Sequence, residues 1–462
     1  MGRALISNLG FILQTAGILI ILPILVAFFY QEKDSALALL LTSFIFLASG
    51  FMMNALAERK DLDFKSSCML VTLTFFILSF IGTLPYLYLG IFNSNSFFNN
   101  FVNSYFESIS GYTTTGFSLL DTFENLPRSI VVYRSLTQWI GGIGIVYLIL
   151  AFFYREGVLN NLLEAIGFRK TLSKIKSSML EVIFIYAFYT VVYFLVFYLL
   201  GLQNLVSNFS LVFSSLSSGG FSPVKDIGML GDKVLVVLII AMITGATSFY
   251  IHHSLFFRKF KNLLSEEFLL FLFIIFLSSF LFFKMIRLDI FTCVFHVVSA
   301  ITTTGFSFLD FSNLGEPIKL FLTLLMFIGG CSFSTSSGIK VYRLLLLFKS
   351  VVYIIKKKLG YETKCAIDKT EVGEVDIAIH MHTILLSLMV VFISSYLFCF
   401  LGYNFVDSLF ECVSAFSNVG FSIGIVGIRL GIVEKIVLIL LMGIGRVEIM
   451  VFLISLFYGK EK

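Results

Sequence analysis

One seven-residue pattern occurs four times in this chain, and each copy lies between long apolar stretches. The copies are Tyr112–Ser118, Leu216–Ser222, Ile301–Ser307 and Phe416–Ser422, and each ends in Gly-Phe-Ser. Backbone that is not helical is tolerated at membrane depth only where it is buried in protein or lines water. Four such turns in one chain can direct their carbonyl groups at one axis, as a cation filter requires. The pattern therefore predicts a pore.

Alignment of the four glycines reveals further agreement between the copies. A serine lies six residues before each glycine, a hydroxyl residue three before, a phenylalanine one after and a serine two after. This predicts a repeated unit of membrane helix, short pore helix, glycine turn and membrane helix. The short helices are too short to cross a bilayer, and each starts beside asparagine, serine or a lone acid. We place them at 97–110, 205–215, 291–301 and 404–415.

The composition predicts a membrane protein. Hydrophobic residues make up 58% of the 462 residues and charged residues 13%, which excludes an ordinary soluble protein. We predict spans near 9–30, 36–57, 66–90, 129–153, 178–201, 232–256, 265–286, 316–350, 374–401 and 430–458. The predicted fold is an all-α polytopic membrane protein with four helix–pore-helix–helix (M1-P-M2) repeats around one pore and an N-terminal pair of transmembrane helices. The predicted bounds are 1–65 for that pair and 66–176, 177–262, 263–372 and 373–462 for the repeats.

Basic residues are concentrated in the loops 155–176, 258–261 and 340–369, whereas 90–120 contains Glu107 as its only charge. By the positive-inside rule the basic loops are cytoplasmic and the glycine turns enter from outside. An even number of spans then places both termini in the cytoplasm. We interpret the basic loops as topology signals and expect no nucleic-acid partner.

Glycine suits a filter turn because it adopts backbone angles that a side chain resists. Carbonyl oxygens can then replace the hydration shell of an ion, and each pore helix aims the negative end of its dipole at the axis. The alternative is that the glycines allow close helix packing, which explains four turns in register poorly. The predicted ion-binding residues are Thr114, Thr115, Gly116, Phe117, Ser218, Gly219, Gly220, Phe221, Thr303, Thr304, Gly305, Phe306, Asn418, Val419, Gly420 and Phe421.

These turns, together with Trp139–Ile145, Gly329–Lys340 and Gly445–Glu448, resemble the TrkH/KtrB-type potassium-uptake translocating subunits, most closely the TrkH kind. The resemblance runs from residue 66 to the end, and the two leading spans match an extra pair in TrkH-like subunits. It implies potassium uptake across the cytoplasmic membrane through a channel-like pore, with K+ at the filter residues. It also implies a homodimer and a cytoplasmic nucleotide-binding regulatory subunit of the TrkA kind.

No cofactor and no enzymatic activity are expected of this chain. It lacks a phosphate-binding glycine loop, so nucleotide control would come from the partner. The four strings differ before their glycines, with Thr-Thr, Ser-Gly, Thr-Thr and Asn-Val. This asymmetry leaves open a sodium-coupled or weakly selective monovalent cation transporter that uses the same pore. A secondary carrier is less well supported, because such carriers often use inverted repeats and these four run in the same orientation.

Residues 329–338 are mostly small and interrupt an apolar span, where they would weaken a helix. The resemblance implies a loop beneath the filter that opens or blocks the path, with Phe333 and Ser337 at positions that are typically glycine. The alternative is a simple kink. Arg446 lies mid-span, where arginine costs about 2.5–3.5 kcal/mol on insertion scales and should face a polar interior; the resemblance places it against the loop. The predicted gate residues are Gly329, Gly330, Ser332, Ser334, Thr335, Gly338 and Arg446.

Three pore helices carry an ionisable residue nine positions before the glycine: Glu107, His296 and Glu411, with Leu211 in the second repeat. One hypothesis is a ring behind the filter that tunes its field or senses pH. The other, which we favour for each residue alone, is hydrogen bonding to neighbouring helices.

Overall fold

The computed structural model describes residues 2–56, 62–93, 96–120, 125–152, 179–257, 264–361, 363–368 and 370–457, and these are largely helical. The N-terminal unit consists of α1 (Gly2–Leu19), α2 (Ile21–Phe29) and α3 (Lys33–Ala55). Helices α1 and α3 cross closely at two glycines, where a Cβ on Gly10 would lie 2.7 Å from the Gly50 carbonyl oxygen. Together α1 and α2 form one candidate membrane span.

Four units follow, and each contains an outer helix, a short pore helix and an inner helix. The first is α4 (Phe64–Ile81), α5 (Leu84–Tyr88), α6 (Phe97–Tyr112) and α7 (Arg128–Phe152). The second is α8 (Met179–Leu199), α9 (Leu205–Leu216), α10 (Asp232–Ala246) and α11 (Phe249–Phe256). The third is α12 (Glu266–Ile286), α13 (Ile290–Ile301), α14 (Glu316–Ile328) and α15 (Val341–Lys358). The fourth is α16 (Glu374–Phe400), α17 (Phe405–Phe416), α18 (Ile432–Val447) and α19 (Ile449–Leu456). The predicted fold class is confirmed.

The pore helices α6, α9, α13 and α17 begin and end within two residues of their predicted bounds. Three of them start at a side chain that accepts a hydrogen bond from the first turn, as an N-cap residue does. Asn204 accepts from Val206 N at 3.1 Å, Asp289 from Thr292 N at 2.8 Å and Asn404 from Val406 N at 2.8 Å. The polar residues that marked these starts in the sequence are therefore the caps.

Three of the predicted spans are broken in the structure. The break within 316–350 was expected, whereas 232–256 and 430–458 were predicted as continuous. Instead, α10 and α11 meet at 102°, and α18 and α19 meet at 100°. The second bend occurs at Glu448, whose φ is +75°. A short hairpin of β1 (Ala366–Ile367) and β2 (Thr370–Glu371) follows α15.

The four units close into a ring. Each inner helix packs against the pore helix of the next unit: α7 on α9, α10 on α13, α14 on α17 and α18 on α6. The last of these contacts returns to the first unit. The pore helices therefore surround one axis, and the glycine turns that follow them lie at its centre.

Candidate ion filter and gate

Each pore helix ends in a turn that enters the left-handed backbone region twice. The first such residues are Thr114, Ser218, Thr303 and Asn418, with φ of +56°, +55°, +56° and +52°. The second are the repeat glycines, with φ between +74° and +86°. Glycine adopts this conformation freely, whereas the other residues are strained there, and such strain is concentrated at functional sites.

The four glycines lie against the backbone of the neighbouring unit. A Cβ on any of them would overlap a carbonyl oxygen from the residue before the next unit's glycine. The overlaps are Gly116 with Gly219 O, Gly220 with Thr304 O, Gly305 with Val419 O and Gly420 with Thr115 O. This order runs through all four units and returns to the first. The structure therefore brings all sixteen predicted ion-binding residues into one ring of turns.

Helix packing uses a different set of glycines. A Cβ on Gly141 would overlap Tyr112 O, and one on Gly445 would overlap Phe416 O. These contacts join an inner helix to the end of its own pore helix, as small residues do in membrane bundles. The repeat glycines instead contact the turn of the next unit, so close packing between helices does not explain their presence.

The first and third turns are anchored by the same hydrogen bonds. Ser110 Oγ donates to Phe117 O at 2.6 Å, and Ser299 Oγ donates to Phe306 O at 2.7 Å. In both turns the threonine hydroxyls three residues and one residue before the glycine lie 2.8 Å apart. The predicted asymmetry therefore lies in the second and fourth turns.

The fourth turn is held by an amide instead of a hydroxyl pair. Asn418 Nδ2 donates to Thr115 Oγ1 and to Met442 O, both at 2.9 Å. The first bond crosses from the fourth unit to the first. Asn418 thus ties its turn both to a neighbouring turn and to its own inner helix.

Glu107, His296 and Glu411 contact the segment that follows the turn in their own unit. Glu107 Oε2 accepts from Leu119 N at 3.1 Å, Glu411 Oε1 from Ile423 N at 2.9 Å, and His296 Nε2 from Phe308 N at 3.3 Å. The sequence hypothesis of bonds to neighbouring helices fits only Glu107, which also meets Arg134 of α7. All three side chains are buried, so they fix the chain where it leaves the ring.

The two glutamates differ in charge environment. Glu107 Oε1 accepts from Arg134 Nε at 3.0 Å and Nη2 at 2.5 Å, and both side chains are buried. Glu411 Oε1 accepts from Ser422 Oγ at 2.6 Å, and Glu411 has no ion pair with a described residue. Arg134 was not predicted as a functional residue, although an arginine inside an apolar span was a visible signal.

This difference predicts unequal effects of removing the two charges. Glu107→Gln removes the carboxylate that pairs with buried Arg134 and is expected to cost about 3–5 kcal/mol of stability. Glu411→Gln keeps an acceptor oxygen for Ser422 and Ile423 and should change stability little. Thermal unfolding of the purified variants, followed by size-exclusion chromatography, measures the difference. Equal losses of thermal stability would contradict the assignment, and unchanged ion selectivity in both variants would argue against the tuning hypothesis.

The loop 329–340, which we call the candidate gating loop, lies beneath the ring and contacts two turns. Thr335 Oγ1 is 3.1 Å from Ser218 Oγ, and Ser337 N donates to Thr303 Oγ1 at 2.9 Å. Thr335 and Ser337 are buried. The loop therefore lies directly against the left-handed residues of the second and third turns, Ser218 and Thr303.

Glycines form the base of the loop, Ser334 bonds within it, and Ser332 bonds to α12. A Cβ on Gly329 would overlap Ser337 O, and Gly338 lies against Gly329. Ser334 Oγ donates to Cys331 O at 2.6 Å, and Ser332 N donates to Glu267 Oε1 at 2.6 Å. Gly330 packs against Ala246 at the bend after α10. All of the predicted gate residues therefore lie in or against one folded loop.

Arg446 joins three units beneath the ring. Its Nη1 donates to Thr335 O at 2.8 Å and Ser337 Oγ at 3.0 Å. Its Nη2 donates to Gly141 O at 2.8 Å and Gly142 O at 3.3 Å. A residue of the fourth inner helix thus ties the loop of the third unit to the inner helix of the first. This is the contact with the loop that the resemblance implied.

The candidate gating loop is also fastened to both bent inner helices. Phe249 N donates to Phe333 O at 2.8 Å where α11 begins, and Cys331 N donates to Ala246 O at 3.0 Å where α10 ends. Glu448, at the other bend, accepts from Arg343 Nη2 of α15 at 2.6 Å, and Arg343 Nη1 donates to Ile339 O of the loop at 3.0 Å. Phe333 has a φ of +57°, a conformation that glycine adopts without strain. The loop and the two bends form one hydrogen-bonded assembly.

Some predicted features lie outside the described residues. The basic residues of 155–176 and 258–261 do so, as does Lys369. Lys356, Lys357 and Lys358 are described and form the exposed end of α15.

Fold and site together define a polytopic helical membrane protein in which four tandem units enclose one axis of backbone turns. The sequence model of the TrkH family, described as a cation transport protein, matches residues 36–293 and 270–458. The chain belongs to this family.

Named relatives and a solved structure resemble the chain over most of its length. It is 34% identical to an uncharacterized cation transporter of Methanocaldococcus jannaschii, over 98% of this chain and 94% of that protein. It is 27% identical to the Trk system potassium uptake protein TrkH of Vibrio parahaemolyticus, over 98% of both. The crystal structure of the potassium transporter TrkH from Vibrio parahaemolyticus matches 99% of this chain and 98% of that chain, with a TM-score of 0.87 and 24% identity.

Proposed function

We propose that this protein takes up potassium across the cytoplasmic membrane through a channel-like pore, with the ring of four turns as its selectivity filter. The main support is that each repeat glycine lies against a carbonyl oxygen of the next unit, through all four units and back to the first. A ring of carbonyl oxygens can replace the hydration shell of a monovalent cation. Relatives that match the chain are named as potassium uptake proteins.

The charges around the ring favour a cation. The sixteen turn residues are uncharged, so ion binding there depends on carbonyl dipoles. The C-termini of α6, α9, α13 and α17 lead into the turns, and the negative ends of four helix dipoles add to that field. Arg134, whose guanidinium lies 4.1 Å from the centre of the Phe221 ring in the second turn, is ion-paired with Glu107.

The gate, in this proposal, is the candidate gating loop together with Arg446. The loop obstructs the path below the ring, and the guanidinium adds a positive charge to a route for cations. Displacement of the loop would break its bonds to Ser218, Thr303 and Arg446 at the same time. Because those bonds connect several units, a movement of the inner helices could open the path.

We further propose a homodimer in the inner membrane, with both termini cytoplasmic and a cytoplasmic nucleotide-binding regulatory subunit of the TrkA kind. The lysine cluster at the end of α15 and the charged pairs around the β1–β2 hairpin support a docking face there. Lys364 pairs with Glu371 at 2.7 Å, and Lys357 pairs with Glu374. The interrupted inner helix α14–α15 would connect this face to the loop.

A second candidate is sodium-coupled or weakly selective monovalent cation uptake through the same pore. The observation that favours it is the asymmetry of the ring, in which the second and fourth turns lack the paired threonines of the first and third. Coordination that differs between the four sides should discriminate less sharply between K+ and Na+.

Growth of a potassium-uptake-deficient bacterium tests the proposal. Expression of this protein with its cognate regulatory subunit is expected to restore growth at low potassium, and empty vector sets the baseline. Isotope flux into proteoliposomes, with K+ and Na+ in competition, separates the two candidates. Absence of rescue and of K+ flux would contradict potassium uptake, whereas equal K+ and Na+ flux would favour the second candidate.

A further inference from the structure

One residue breaks the pattern of the four inner helices. Each inner helix has a glycine 13 positions after its first residue, namely Gly141, Gly245, Gly329 and Gly445. Three residues earlier, the second, third and fourth units have methionine, at Met242, Met326 and Met442, and the first has Gln138. All four side chains are fully buried. A buried amide thus replaces a methionine in one unit.

The turn next to this amide is also exceptional. The residue before the repeat glycine is Thr115, Thr304 or Val419 in three units, but Gly219 in the second. Because each inner helix packs against the next unit's pore helix, Gln138 of the first unit faces the second turn. The two departures from the repeat therefore meet at one contact.

Gln138 occupies the volume that a side chain at position 219 would fill. A Cβ on Gly219 would lie 2.5 Å from Gln138 Cδ and 2.6 Å from its Oε1. Real Cβ atoms do not approach other heavy atoms this closely. The glutamine and the glycine are therefore complementary in size, as interiors packed to crystal-like density require.

Both ends of the amide bind backbone groups on either side of Gly220. Gln138 Nε2 donates to Gly219 O, and Gln138 Oε1 accepts from Phe221 N at 3.1 Å. A backbone N–H only donates and a carbonyl only accepts, so these partners assign the orientation of the amide. Burying an amide costs free energy unless it is hydrogen-bonded, and here both its oxygen and its nitrogen are bonded.

We propose that Gln138 is a positioning residue for the second filter turn, and that its bridge across Gly220 sets how well the pore discriminates K+ from Na+. The proposal rests on the filter function proposed above. Without the bridge, Gly219 has no side chain, and its carbonyl accepts no other hydrogen bond from the part of the chain that the structure describes. That carbonyl is the one against which Gly116 of the first unit packs, so its displacement would distort the ring at the junction of two units.

The first experiment replaces Gln138 with the residue found in the other three units. Gln138→Met keeps the volume and removes both hydrogen bonds, and a roughly tenfold fall in the K+/Na+ permeability ratio is expected from losing bonds of ordinary strength. The ratio is measured as isotope flux in proteoliposomes. Met326→Leu, at the equivalent position of the third unit, is the matched control and should keep the wild-type ratio. An unchanged ratio in Gln138→Met would overturn the proposal.

The second experiment tests the pairing of the two residues. Gly219→Thr alone should lower flux and selectivity, because its Cβ overlaps Gln138. The double variant Gln138→Met with Gly219→Thr recreates the methionine and threonine found at the equivalent positions of other units, and its ratio should recover. Residues in contact show such non-additive effects. The pairing would be refuted by a double variant whose loss of selectivity equals the sum of the two single losses. It would also be refuted by a double variant that does not fold.

Wild-type flux separates this proposal from the function on which it rests. If the wild type moves no K+, the proposed function fails. If it moves K+ selectively and the Gln138 variants retain that selectivity, only the positioning role fails. The double variant keeps the test decisive even if Gln138→Met alone cannot be purified.

Discussion

Replacing Gly305 with alanine is expected to reduce the K+/Na+ permeability ratio at least roughly tenfold. Its φ is +81°, a region that costs a residue with a Cβ about 1–2 kcal/mol. Its Cβ would also overlap Val419 O of the next unit. Relief of that overlap has to move either the carbonyl or the turn, and both belong to the ring. Selectivity is measured by competing isotope fluxes in proteoliposomes.

Gly231 provides the matched control, because it separates backbone strain from the carbonyl contact. Its φ is +85°, and no atom lies within 4 Å of the position that a Cβ would occupy. Gly231→Ala should therefore lower stability by the cost of backbone strain alone, about 1–2 kcal/mol, and leave the K+/Na+ permeability ratio unchanged. If Gly305→Ala were as selective as Gly231→Ala, the ring of carbonyl oxygens would not be the filter.

Replacing Arg446 with alanine is expected to increase basal K+ flux by roughly tenfold in the absence of any regulatory subunit. The guanidinium makes four hydrogen bonds, two of them to the candidate gating loop. Their loss frees the loop and removes a positive charge from the cation path that we propose. The expected change lies within the range of about 5–150-fold that couplings of 1–3 kcal/mol produce. Flux into proteoliposomes of the purified protein measures it.

Arg446→Lys distinguishes the two effects of the arginine. Lysine keeps the charge but lacks the planar fork that reaches several acceptors at once. If fastening of the loop dominates, Arg446→Lys should conduct like the alanine variant; if the charge barrier dominates, it should conduct like the wild type. Flux at or below the wild-type level in both variants would contradict a gating role for Arg446.

The bends of the inner helices could not be predicted from local signals. Thr247 and Ser248 separate α10 from α11, and Glu448 separates α18 from α19, without a proline at either break. The backbone groups near the breaks find partners elsewhere in the chain, such as the bond from Phe249 N to Phe333 O. The glycine pair at 329–330, in contrast, is a local signal, and the break there was predicted.

The site residues also divide into those marked by a local sequence signal and those whose role depends on distant partners. Gly116, Gly220, Gly305 and Gly420 were identifiable because a backbone conformation that excludes side chains selects glycine at one position of every repeat. Arg134 and Gln138 were missed as site residues, although one is a charge in an apolar span and the other replaces a methionine of the repeat. Their roles depend on partners, Glu107 and Gly219, that their own helix does not contain.

The sequence by itself determined the membrane-spanning helical class, the four units, the pore helices with the caps of three of them, and the positions of the glycine turns. All of these follow from hydropathy, spacing and backbone preference, which act over a few neighbouring residues. Only the tertiary structure decided which turn meets which, that Glu107 has an ion-pair partner while Glu411 has none among the described residues, and that Arg446 bonds to the loop. These depend on contacts between residues far apart in the chain, such as Asn418 with Thr115, 303 positions away, and such contacts exist only once the ring has closed.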